Sequence, residues 1–108
     1  MNSQDPQKTA ESIRETGEIL NQKQYELNRI NRGIEVHRHE ADKQVVFNSE
    51  LKNSEQRNYQ RKEIQQTNEE LQSLILQAAD LYKEIKDLEV KLEYYRNLFK
   101  IQQKEEHV

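Results

Sequence analysis

The side chains best able to do chemistry in this sequence cluster around His37 and His39, flanked by Glu35, Glu40 and Asp42. These are the residue types that ligate a divalent metal. Zinc held by one helix takes two histidines at i and i+4, so that both ring nitrogens face the same ion. Two residues apart, the rings diverge by about 200° around a helix axis. They are therefore expected as ordinary histidines, His37 on an apolar seam and His39 off it, with no metal or other cofactor. Ser, His and carboxylates also occur, but catalysis needs them convergent in a pocket that excludes water. No Gly-rich phosphate loop is present. No catalytic, cofactor-binding or metal residue is assigned, and the chain is read as a non-enzyme.

The elements that carry these side chains are dictated by a repeat. Leu71, Leu74, Ala78, Leu81, Ile85, Leu88, Leu92, Tyr95 and Phe99 follow one another at alternating spacings of three and four, and no Gly or Pro occurs from Ile34 onward. Such a stripe, recurring every 3.5 residues, is the seam of a coiled coil and must be buried against another helix. A second seam through Ile13, Leu20, Leu27, Ile30, Ile34 and Ala41 is diluted by Thr16, Lys23, His37 and Gln44 at alternate positions. Gly17 and Gly33 lower its helix stability further, by about 1 kcal/mol each relative to Ala.

Hydrophobic residues make up 32% of the chain and charged residues 34%. That is too polar for a compact globule but suits long helices, which need only a narrow apolar stripe. The fold class expected is all-α: a long helical coiled coil packing with partner helices. Its leading form is one extended helix of roughly 150 Å over residues 6–106, at about 1.5 Å per residue. The alternative is a two-helix antiparallel hairpin. Asp5-Pro6 is a sound helix start, with Asp as cap and Pro at the first helical position. Ser12 with Glu15 offers a second start as a capping box. The organisation expected is a flexible start (1–5), a weaker amino-terminal helix (6–51), a polar segment (52–63), the strong heptad coiled coil (64–103) and a frayed tail (104–108). The heptad phase changes across the polar segment, where Asn53-Ser54 would serve as a turn.

Both seams are read as partner-binding. With Leu71 at a and Leu74 at d, a parallel homodimer would set Glu84 against Glu89 of the second copy and Lys91 against its Arg96. Two like-charge contacts in succession favour a different partner chain or an antiparallel arrangement. Ile75, Tyr82 and Leu98 beside the seam widen the apolar face towards that of a three- or four-helix bundle.

The net charge of −3 is spread evenly and forms no basic stripe, which argues against nucleic-acid binding by the electrostatic route. With no cysteine the chain has no disulfide framework, as suits a reducing compartment. No apolar run reaches the roughly 20 residues of a membrane span, and neither signal peptide nor lipidation motif is visible. An intracellular protein of the cytoplasm or cytoskeleton is expected, without membrane insertion.

Residues 12–34 (SIRETGEILNQKQYELNRINRGI) resemble a SNARE motif, with Leu20, Leu27, Ile30 and Ile34 on layer positions and Lys23 where that family has its central Gln. This would imply a membrane-fusion factor or its regulator. Residues 92–99 (LEYYRNLF) resemble both the end of the intermediate-filament rod and the rod-to-globule junction in small subunits of the kinetochore tetramer. One octapeptide shared by two unrelated families assigns neither. The leading expectation is a structural subunit of a hetero-oligomeric, cytoskeleton-associated assembly of axonemal, kinetochore or tethering type. A SNARE-like factor and a homo-oligomeric spacer rod are the alternatives.

Overall fold

The computed structural model describes residues 5–106. The flexible start expected over 1–5 and the frayed tail over 104–108 thus lie outside the described residues, except at Asp5 and at 104–106. Among the described residues there are three helices: α1 (Pro6–Val46), α2 (Ser54–Thr67) and α3 (Glu69–Glu106). The all-α class holds. The single extended helix does not, because the chain reverses between α1 and α2 as in the hairpin alternative.

α1 begins where its sequence says it should. The Asp5 carboxylate accepts the N–H of Lys8 at 3.0 Å, the Asp5 carbonyl accepts that of Thr9 at 3.0 Å, and Pro6 takes the first helical position. Ser12, the other candidate start, lies inside the helix.

The reversal occupies residues 47–53, earlier than Asn53-Ser54, and contains neither Gly nor Pro. Asparagine does the work. The Asn48 side-chain carbonyl accepts the N–H of Glu50 at 3.0 Å, and its backbone carbonyl accepts that of Leu51 at 3.2 Å. No described residue takes a positive φ, so the turn has no need of glycine. Asn53 is a cap and not a turn residue. It sits at extended φ and ψ, and its side chain accepts the N–H of Gln56 at 2.8 Å. The Gln56 side chain reaches back to the N–H of Lys52 at 2.8 Å, close to the reciprocal logic of a capping box.

α2 takes in most of the polar segment expected over 52–63 and runs on to Thr67, and none of its residues is buried. It ends at Asn68, whose backbone (φ −83°, ψ 101°) leaves the helical region and separates α2 from α3. Both sides of this break are satisfied. The Asn68 N–H donates to the Gln65 carbonyl at 3.3 Å, and the Thr67 hydroxyl donates to that of Glu63 at 2.9 Å. On the α3 side, Asn68 caps through its side chain to the N–H of Leu71 at 3.0 Å. Glu69 and Glu70 then place negative charge in the first turn, where the helix dipole favours it.

The chain divides into two compact units. One spans Leu27–Asp80 and contains the turn, α2 and the start of α3. Its two arms are antiparallel: Gly33, His37 and Asp42 meet Leu74, Asn68 and Arg61 in reverse order. Its buried residues include Ile30, Ile34, Ala41, Val45 and Leu71. The other unit joins α1 up to Glu26 with α3 from Leu81 onward. It buries Thr9, Thr16 and Leu20 from α1 and Leu81, Ile85 and Leu92 from α3.

Candidate association surface

Each heptad seam lies on the inner face of its helix. On α3, Leu71, Leu81, Ile85 and Leu92 are buried, while Leu74, Ala78, Leu88, Tyr95 and Phe99 are half-buried. On α1, Leu20, Ile30, Ile34 and Ala41 are buried, and Ile13 and Leu27 half-buried. The spacing therefore identified a packed stripe on both helices, and within one chain each unit already holds segments of both α1 and α3 to cover it. Two buried positions escaped the repeat. Val45 takes the inner position in place of Gln44, since a helix of 3.6 residues per turn drifts against a period of 3.5 and a step of four after Ala41 re-enters the seam. Thr9 lies one heptad before Thr16, and its hydroxyl donates to the Asp5 carbonyl at 3.2 Å, which lets it be buried.

Two of the polar residues that dilute the α1 seam, Lys23 and His37, find partners across it. The Lys23 ammonium lies 3.1 Å from the Glu84 carboxylate. His37 is half-buried; its Nδ1 is 3.0 Å from the Asn68 side-chain nitrogen and its Nε2 is 3.6 Å from Glu70. Asp42, just off the seam, engages the Arg61 guanidinium and ties α2 to α1. A wrong register would strand these charges, so such pairs select one alignment even where they add little stability.

His39 is exposed and does not share His37's contacts. Among the described residues no group of three or more His, Cys, Asp and Glu converges to hold a metal. The recess beside the turn is lined by Glu50, Leu51, Gln56 and Tyr59, whose open surroundings do not exclude water. Among the described residues no helix is long and apolar enough to cross a membrane.

What the seams leave over is a second apolar row. Val90, Tyr94 and Ile101 are 70%, 62% and 54% exposed. Counting 100° per residue, they fall within about 40° of one another, on the side of α3 opposite Leu81, Ile85 and Leu92. Lys83, Asp87, Asn97 and Lys104 complete the same alternation of four and three. The row was legible in the sequence as the spacing of Val90, Tyr94 and Ile101, but the stronger leucine heptad masked it. Beside it, the Tyr94 and Tyr95 rings lie 5.6 Å apart at 58°. Lys86 sits over the Tyr82 ring with Glu89 at 3.5 Å, and these two groups, Glu89 first, raise the ammonium's pKa above its ordinary value.

No protein-family model matches the chain, and no curated protein or solved structure matches it.

Proposed function

We propose that the chain is a non-enzymatic assembly subunit whose partners are other coiled-coil chains in a hetero-oligomeric complex, a class that includes cytoskeleton-associated assemblies. The observation that carries this reading is the exposed row Val90, Tyr94 and Ile101, which repeats at coiled-coil spacing on the back of a helix whose other face is already packed. A helix laid along the row would take the three exposed side chains out of water, which favours association. Asn97, in step with the row, gives the partner a polar position at which to match alignment. Half-buried Leu88, Tyr95 and Phe99 likewise leave the α3 seam open at its margins, as a helix pair does when it forms part of a three- or four-helix bundle.

Chemical crosslinking of the tagged chain in its native extract, followed by peptide mapping, tests the reading. Crosslinks from Lys83, Lys86, Lys100 or Lys104 to lysines at helical spacing in a different chain are expected, and Val90→Glu should abolish them. Crosslinks between two differently tagged copies would replace the reading with the homo-oligomeric spacer. A chain crosslinked only to itself would refute both.

A further inference from the structure

We propose that His37 is a proton-sensitive latch on the α2–α3 junction: protonation of its ring uncaps α3. The N–H of Leu71 must meet an acceptor, so the atom of Asn68 that it faces at 3.0 Å is the side-chain carbonyl oxygen. The Asn68 amide nitrogen therefore points at His37 Nδ1 and donates to it at 3.0 Å. That bond requires an unprotonated Nδ1, which leaves the ring hydrogen on Nε2, 3.6 Å from the Glu70 carboxylate. Asn68 thus joins three things: its side chain holds the ring on α1 and the first turn of α3, and its backbone N–H closes the end of α2.

Imidazole is the side chain that changes charge between about pH 5 and 8. When Nδ1 gains a proton, two N–H groups face each other. Asn68 can restore a bond to the ring only by turning its amide over, and its nitrogen then faces the N–H of Leu71. The cap is lost.

The surrounding charges do not cancel this effect. Glu70 of α3 attracts an imidazolium, but its side chain is 84% exposed and its field is screened. On α2, Arg61 is engaged by Asp42, and Lys62 and Glu63 are exposed. On α1, Glu40 is 3.7 Å from Lys43, and Arg38 is 4.0 Å from Glu35. Of the two described contacts of the ring, Asn68 must change partner when Nδ1 is protonated and Glu70 need not.

Amide hydrogen exchange by NMR on the full chain at about pH 7.5 and 5.5, expressed as protection factors to remove the intrinsic pH dependence, tests the latch. Protection at Leu71 and Gln72 should fall by about three- to tenfold at the lower pH, the range set by one lost hydrogen bond. His37→Gln supplies a carbonyl acceptor that does not titrate, and should make protection the same at both pH values. Asn68→Asp keeps the acceptor for Leu71 and offers a carboxylate to the protonated ring, so protection should rise as pH falls. His39 and His107 are unchanged in both variants, so any contribution from them persists. Protection in the wild type that is unchanged between the two pH values would overturn the proposal, as would an equal fall in His37→Gln or a fall in Asn68→Asp.

Discussion

Leu71 and Leu76 stand five residues apart on α3 and meet opposite surroundings. Leu71 is fully buried, whereas Leu76 is 67% exposed. Leu71→Ala is expected to cost about 2–5 kcal/mol, the transfer loss plus the cavity left behind. Leu76→Ala should stay within about 0.5 kcal/mol of wild type. Urea titrations with unchanged slopes measure both, and comparable midpoint shifts for the two variants would mean the core has been misplaced. Heptad spacing alone picked out inner positions, since no residue of either seam is exposed, although it missed Val45 and Thr9. How deeply each is buried was not legible in it. Leu20 is buried at 9% exposure while Leu88 is only half-buried, although Leu88 belongs to the cleaner repeat and Leu20 has Thr16 and Lys23 for neighbours. Depth depends on the side chains across the seam, which one row of residues does not specify.

At the scale of the element, the helix boundaries follow from caps more than from apolar pattern. The start of α1 was readable as Asp5-Pro6 because Asp supplies the capping acceptor and Pro lacks an N–H that the first turn would leave unpaired. The reversal was harder to see, because no glycine or proline marks it and Asn48 and Asn53 supply the turn and the cap through their side chains. α2 tests this most directly, for it buries none of its residues. Asn53→Ala should therefore cost about 1 kcal/mol and speed amide exchange in 54–60 before that of α3. Unchanged exchange there would show that packing, and not the cap, holds the helix. In α1 the two glycines differ. A Cβ at Gly17 meets nothing within 4 Å, so Gly17→Ala should raise stability by about 0.5–1 kcal/mol. At Gly33 the added Cβ would lie 3.3 Å from Leu74 Cδ1, so the seam must yield and the gain should be smaller. Thermal melts of the two variants rank them, and an equal or larger gain at Gly33 would contradict this contact.

For the whole molecule, folding and association draw on different faces. The seams were expected to be shared with other chains, yet each compact unit buries apolar residues from two helical arms of the same chain. A stripe of heptads states only that it will be covered. Whether the cover comes from another chain or from a later helix depends on whether the intervening residues can turn, and here two asparagines decide it. The isolated chain is therefore expected to be helical without a partner, with a melting midpoint constant over about a hundredfold range of concentration, since an intrachain pair has no mass-action dependence. Helicity that appears only on mixing would refute this. The surface opposite the α3 seam should behave in the converse way. Val90→Glu and Tyr94→Glu place a charge on side chains already facing water, so each should leave the isolated chain's melting midpoint nearly unchanged. Buried against a partner helix, the same carboxylate would be desolvated without a counter-charge, which is enough to lower affinity by at least about tenfold. Titration of wild type and both variants against the crosslinked partner, by sedimentation or calorimetry, measures the difference. Full affinity in both variants would show that the partner docks elsewhere, and a collapse of the isolated chain would show that the row belongs to the core.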